Sequence, residues 1–350
     1  MTTDHADSLL ETLTDMQRHE QGNHGWSVVH EALALLMRSG DPALDALLAA
    51  VRASRPGISD SHLITLLGIA LRGLADRDPE AAGLFRPEPA AAGRAAALAS
   101  ILGRDGAQIA AVVTEHSNSF TAARRFLVPQ VLLGAYAAHH GIAEVRLADL
   151  GTSIGLLPRQ LNNRAVFERF APDLRWSPEA PPYRPIPLTA RYGVDAPPLP
   201  DLDWVRHCHG PSAYYGDRFS EVLWTLEQTT PDPPGLRLEA LDLLDADALT
   251  GYLRERRINV ATCNFVLYQY DPATRERIVA AVLRGLAAPG LLLSMEPGHE
   301  LRRQGARVTA YLDGDTTGRP VADVSDAHCI GTVTLLPASA DLTGAVRKPR

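Results

Sequence analysis

The segment VRLADLGTSIGLLPRQL, residues 145–161, places one carboxylate, Asp149, two residues before Gly151, with Thr152, Ser153 and Gly155 close behind. Read as a strand, a tight turn and a helix starting near Ile154, it would carry backbone N–H groups and a helix N-terminus to the C-terminal edge of a parallel sheet. Gly151 allows the turn, and the small Thr152, Ser153 and Gly155 keep the wall low enough for a nucleoside or amino-acid group to approach the main chain. The spacing is D-x-G-x-S-x-G, which departs from the G-x-G-x-x-G fingerprint of dinucleotide sites. Small-molecule binding is the chemistry to which these residues point.

Other reactive residue types are sparse. RHCHG contains His207, Cys208 and His209. Adjacent side chains on a strand face opposite ways and no second ligand cluster accompanies them, so no metal centre is expected. Cys208, Cys263 and Cys329 are odd in number and far apart, which fits reduced thiols better than a disulfide framework. His116, His207 and His209 are the bases available to deprotonate an acceptor, and histidines of this kind more often sit at the surface or in packing.

The elements that must position these residues fall into two parts. From about residue 8 to 140 apolar positions recur at three and four, as in SVVHEALALLMRSG, DPALDALLAAVRAS, SDSHLITLLGIALRGLADRD and AAALASILGRDGAQIAAVVTEH, so helices are predicted throughout. Their punctuation agrees: Asp41 and Pro42 open one helix, Pro56 and Gly57 close it, Ser59 or Ser61 opens the next, and Pro79 sits in another first turn. RRFLVPQVLLGAYAAHHG makes the last helix of this part, with Pro129 at a kink or start and Gly141 at its end.

After residue 140 the grammar alternates. RLADLG, RYGVD, GLRLEAL, INVATCNFVL and GLLLSMEPG read as strands with helices between them, which predicts a mostly parallel, doubly wound α/β sheet. The proline-dense stretch over 171–201 reads as a surface excursion that returns to the second strand at TARYGVD. Beyond Gly298, TVTLLPAS predicts antiparallel edge strands and GAVRKPR a loose basic tail. The expected organisation is a helical domain over 1–140 and an α/β domain over 141–350.

Composition narrows the partners. A formal net charge of -7 argues against a large nucleic-acid footprint, which needs a basic surface to release counterions. The acidic, polar start MTTDHADSLLETL lacks the character of a secretory signal, and no uninterrupted apolar run approaches the roughly 20 residues of a membrane span. A cytoplasmic protein acting on a small molecule, away from membranes, is expected.

The D-x-G-x-S-x-G run resembles the first motif of class I S-adenosylmethionine-dependent methyltransferases, commonly (D/E)-x-G-x-G-x-G, with Ser153 in place of the middle glycine. The resemblance implies a Rossmann-like fold in which Asp149, Gly151, Thr152, Ser153 and Gly155 hold the methionine part of S-adenosylmethionine. A carboxylate attracts its ammonium and N–H groups take its carboxylate. It further implies that Asp195, ending the second strand in RYGVDAPP, accepts from the ribose hydroxyls, and that an acid near the end of the third strand, Asp242 in preference to Glu239, meets the adenine amino group. The fourth strand ends at Asn264, followed by Tyr268 and Tyr270, and the run to the "PG" before the fifth strand follows the usual course of this fold.

A wider likeness covers most of the chain. NSFTAARRFLVPQVLLGAYAAHHGIAEVRLADLGTSIGLLP, YGVDAPPLPD, WVRHCHGP and GLRLEALDLL look like a bacterial family in which a helical N-terminal domain precedes a methyltransferase-like domain. Relatives carry TNE where this chain has Asn118 and Ser119, and HS where it has Cys263 and Asn264. Azetidine-2-carboxylate synthases are also similar.

What the resemblance implies is methyl transfer to a small-molecule acceptor, of the kind found in secondary metabolism. It needs in-line placement more than acid–base machinery. Asn264, Tyr268 and Tyr215 are the residues expected at the reacting group, with Tyr214 and Tyr270 as further rings for cation–π contact with the sulfonium. The helical domain would act as a lid. Two other readings use the same fold: cyclisation of S-adenosylmethionine to azetidine-2-carboxylate with release of methylthioadenosine, and a non-catalytic binding protein. No metal is expected in any of them.

Overall fold

The computed structural model describes residues 3–19, 24–298 and 305–344. The chain forms two compact units, one made of 1–120 with 200–220 and the other of 121–199 with 221–350. The single boundary expected at 140 is thus replaced by three crossings. Elements are numbered in chain order across both units.

The first unit is helical: α1 (Thr3–His19), α2 (His24–Ser39), α3 (Pro42–Ser54), α4 (Asp60–Ala75), α5 (Pro79–Gly83), α6 (Ala91–Glu115) and α10 (Leu202–Cys208). Its starts are the ones the sequence marks. Asp41 accepts from the N–H groups of Ala43 and Leu44 ahead of Pro42, Ser59 accepts from His62, and Asp78 accepts from Glu80 ahead of Pro79. Such caps satisfy donors that a helix leaves unpaired in its first turn.

α6 packs against α2, α3, α4 and α5. Its length and average apolarity alone would let it cross a membrane. Arg94, however, is buried within the unit, donating to Glu31 and to the carbonyls of Pro87 and Pro89. Residues 200–220 join the helical unit because α10 lies on α4, where Asp76 pairs with Arg206 and His207. Trp204 donates from Nε1 to the carbonyl of Ser117, and Trp204 and Cys208 enter the apolar core.

The second unit is built on a nine-stranded sheet of order β2-β9-β8-β7-β6-β5-β1-β3-β4. The strands are β1 (Val145–Leu150), β2 (Leu174–Ser177), β3 (Leu188–Asp195), β4 (Leu236–Ala240), β5 (Val260–Asn264), β6 (Leu291–Pro297), β7 (Ala306–Leu312), β8 (Arg319–Val324) and β9 (Gly331–Leu335). β4, β3, β1, β5 and β6 run parallel, and β7, β8 and β9 continue antiparallel. This is the α/β, Rossmann-like doubly wound sheet preceded by helices that the sequence pointed to. β1 is flanked by β3 on one side and β5 on the other. The chain order reverses there, at the kind of crevice where open α/β sheets bind ligands.

Two departures have physical causes. The proline-rich excursion contains β2, which pairs parallel to β9 at the sheet's edge, a position that tolerates neighbouring prolines. α7 (Leu127–His139) belongs to the sheet's unit, because a helix buried from Leu127 to Ala137 has no solvent face and needs partners all round. Gly134 lets it approach the backbone of Arg184, and Gln130 donates to the same carbonyl. The basic tail read in GAVRKPR lies, after Gly344, outside the described residues.

α12 (Ala246–Glu255) and α13 (Pro272–Gly285) pack on each other and, with the buried Ala261 and Cys263 of β5, form the core of one sheet face. The remaining helices are α8 (Leu156–Gln160), α9 (Arg164–Phe170), α11 (Ala213–Gln228) and α14 (Ala340–Thr343). α11 begins in the helical unit and ends in the sheet's unit.

Candidate active site at the tip of the sheet

At the end of β1 the chain turns through three left-handed residues, Gly151 (φ 69°), Ser153 (φ 55°) and Gly155 (φ 72°). The N–H groups of Gly151 and Thr152 both donate to the carbonyl of Val194 on β3, at 2.9 and 3.0 Å, and Gly155 donates to Thr152. The N–H of Ser153 donates to Asp195 Oδ2 at 2.7 Å, while Asp195 Oδ1 accepts from Ala196. The helix that follows is short and starts at Leu156, not near Ile154. The amides expected to face a ligand's carboxylate are thus largely engaged by β3 and by the turn.

The room expected beside the glycines is also filled by protein. A Cβ at Gly151 would run into Val266, and one at Gly155 into Leu238. Both glycines answer to backbone conformation and close packing. Ser153, at the position where the resembling motif has its middle glycine, adopts the left-handed conformation with a side chain attached.

Asp149 lies beneath this turn, 4% exposed. Its Oδ2 accepts from the hydroxyl of Thr152 and its Oδ1 from the hydroxyl of Thr262 on β5, each at 2.7 Å. Burial pushes its carboxyl up to about 6, opposed by the two hydroxyls and reinforced by the neighbouring Asp195. Asp149 therefore ties β1, its turn and β5 together. Burial likewise raises Asp195, against the pull of the N–H groups of Ser153 and Ala196.

Beyond β4, Asp242 is exposed, and its Oδ1 accepts from the N–H of Leu244. Leu241 donates to the carbonyl of Asp195, which sets Asp242 one residue past that link at the same edge. Glu239, the competing acid, is engaged by Arg256 at 2.8 Å.

β5 ends at Asn264, and both side-chain atoms of its amide, Oδ1 and Nδ2, are buried with no partner among the described residues. The chain then turns through Phe265 (φ 57°) into the 3-10 turn Leu267–Gln269. The guanidinium of Arg125 lies 3.7 Å from the Phe265 ring centre. Asp149, Gly151, Thr152, Ser153, Gly155, Asp195, Asp242, Asn264 and Tyr268 thus collect at the C-terminal ends of β1, β3, β4 and β5.

Tyr215 and Tyr214 belong to the helical unit, where Tyr215 meets Phe120 edge-on at 6.0 Å and Tyr214 at 5.4 Å. The histidines have local work in that unit. His116 stacks on Trp204, His207 pairs with Asp76, and His209 packs between Phe120 and Phe219 with Nδ1 on the carbonyl of Val205. RHCHG lies at the end of a helix, not on a strand as read from the sequence. Among the described residues no group of three or more His, Cys, Asp or Glu is arranged to hold a metal ion.

Sequence reasoning missed Glu296. Its partly buried carboxylate accepts from three consecutive backbone N–H groups, Val266 and Leu267 on Oε1 and Tyr268 on Oε2, at 3.1–3.2 Å. Burial pushes it up to about 7 in spite of those donors. A usable signal was present: in SMEPG an acid ends an apolar strand, as Asp195 ends β3.

No protein-family model matches this sequence, and no curated protein matches it. Among solved structures the chain is similar to CalS10, an amino pentose methyltransferase from Micromonospora echinaspora, with 17% identity over 55% of this chain and 65% of that one, TM-score 0.28. It is also similar to the rRNA methyltransferase aviRa from Streptomyces viridochromogenes, with 11% identity over 57% and 87%, TM-score 0.35. An O-methyltransferase family protein from Burkholderia thailandensis shares 14% identity over 57% and 43%, TM-score 0.28. The chain spans less than two thirds of the length of the first and third of these proteins.

Proposed function

We propose that this chain is an S-adenosylmethionine-dependent enzyme that transfers a methyl group to a small-molecule acceptor. The observation that carries the reading is the amide of Asn264, buried without a partner among the described residues at the tip of β5, beside the reversal in strand order. A buried polar group without a partner costs about 1–3 kcal/mol, a cost that a ligand's donors and acceptors would remove.

The surrounding residues fit this cofactor. Asp195 ends β3 and Asp242 lies two residues past the end of the adjacent β4, and carboxylates there suit a ribose diol and an exocyclic amine. The turn Gly151–Gly155, braced from below by Asp149, would border the methionine part. Bound there, S-adenosylmethionine supplies a methyl group already activated on a sulfonium. The chain's own contribution is placement: Asn264 orients through two hydrogen bonds, Tyr268 offers a ring for cation–π contact, and Asp149 and Asp195 brace the turn. Alignment of this kind can remove a large share of the barrier in transfers that need no proton relay.

Calorimetric titration with S-adenosylmethionine and S-adenosylhomocysteine tests the reading. Saturable binding is expected, weakened tenfold or more in Asn264→Ala and in Asp195→Ala, with S-adenosylhomocysteine formed only when an acceptor is added. Absence of binding overturns the proposal. Methylthioadenosine formed from S-adenosylmethionine alone replaces methyl transfer with cyclisation.

A further inference from the structure

The sheet's unit contains a cavity of about 390 Å³ between α13 and the β6–β7 pair, with Leu267 and Glu296 in its wall. That volume falls within the range of small-molecule sites, about 300–1,000 Å³. On its wall a carboxylate and a guanidinium grip one residue from opposite ends. Tyr268 donates its N–H to Glu296 Oε2, and its carbonyl accepts from Arg275 Nη2. Arg275 also donates from Nε to the carbonyl of Tyr270 at 2.7 Å.

The two charged groups make no ion pair with each other, although both line the cavity. Glu296 Oε2 keeps a lone pair beyond its one N–H donor, and Arg275 keeps Nη1. Oppositely charged groups side by side and unpaired are the complement of a zwitterion.

The interior has a different character. Val279 and Leu267 supply apolar wall, and Thr309 and Tyr311, each bearing a hydroxyl, are among the lining residues. Register orders them: on the antiparallel pair Glu296 faces Arg307, Ser294 faces Thr309, and Leu292 faces Tyr311. The charged groups therefore mark the end of the cavity nearest the strand tip, and the hydroxyls lie progressively further down the sheet. Burial raises the Tyr311 hydroxyl's pKa, which keeps it a neutral donor.

We propose that this cavity binds a free α-amino acid whose side chain has an apolar body and a polar tip, with its ammonium on Glu296 and its carboxylate on Arg275. The polar tip reaches Thr309 and Tyr311. The site needs no methyl donor, so it stands or falls independently of the function proposed above.

The test uses the full chain without nucleoside and three probes: L-tyrosine, tyramine and 3-(4-hydroxyphenyl)propionate, titrated by calorimetry or followed by NMR line broadening. L-tyrosine is expected to bind at least tenfold more tightly than either analogue, each of which lacks one of the two charges. Arg275→Met should bring tyrosine and tyramine to within about twofold of each other, and Arg275→Lys should restore part of the difference. Val279→Trp, which fills the cavity, should abolish tyrosine binding with the melting temperature retained. Equal binding of the three probes, no binding of any, or a tyrosine preference that survives Arg275→Met overturns the proposal. Should Val279→Trp fail to fold, the ratios measured on the Arg275 variants still decide.

Discussion

The turns that follow β1 and β5 are built to one plan with different reinforcement. Each leaves the tip of a buried parallel strand, each passes through a non-glycine residue in the left-handed conformation, Ser153 and Phe265, and each is pinned by a carboxylate from the next strand outward. Asp195 on β3 takes one N–H of the first turn, and Glu296 on β6 takes three of the second. The first turn shares its other amides with the carbonyl of Val194, so its acid is one support among several. In the second turn the acid is the common acceptor for three amides in a row. Equivalent positions in a doubly wound sheet can thus hold a loop with the backbone of a neighbour or with a single side chain, and the second solution concentrates the dependence on one residue.

The largest expected effect breaks this contrast at Glu296. Glu296→Ala would strand three buried donors at about 1–3 kcal/mol each, so urea unfolding should show a loss of at least about 3 kcal/mol. Asp195→Ala should cost only about 1–2 kcal/mol. Equal losses would refute the assignment of the second turn to a single support.

pH provides the next effect. Both Glu296, raised to about 7, and Asp149, raised to about 6, bind protons more readily folded than unfolded. Their contribution to stability is complete below the ordinary carboxylate pKa and is lost as pH rises through the folded value. Stability should therefore fall between about pH 4 and 7, by on the order of 3 kcal/mol from Glu296. The Glu296→Gln profile should lack the part of the slope between about pH 5 and 7 and keep the Asp149 part, centred lower. A wild-type profile flat over that range would contradict the burial of both acids.

The smallest effect sharpens the comparison at the turn residues themselves. Ser153→Gly should raise stability by about 1 kcal/mol, the cost of holding an L-residue left-handed, read as a higher urea midpoint with an unchanged slope. A lower midpoint would show that the serine side chain contributes contacts worth more than the strain.

How much of this was legible depended on where the information resides. Five parallel strands and the helix starts at Asp41, at Ser59 or Ser61, and at Pro79 were readable because hydrophobic period and capping chemistry are written in side chains. Asn264 was readable as the polar residue ending an apolar strand. β2 was hidden because prolines nearby mask a four-residue strand, and RHCHG is too short for its period to separate helix from strand. α7 was assigned to the wrong unit because a helix apolar on every side does not say which core it enters. Glu296 escaped notice for a different reason: its partners are backbone amides of Val266, Leu267 and Tyr268, and an amide carries no trace of its role in the residue type.

The three crossings of the chain between the two units bear on how the protein can be taken apart. A cut at residue 140 would leave the helices without α10 and its pairing to Asp76, and would strip the sheet of α7. Neither fragment would hold a complete core, so separately expressed pieces call for splicing 200–220 back onto 1–120 and bridging the gap left in the remainder.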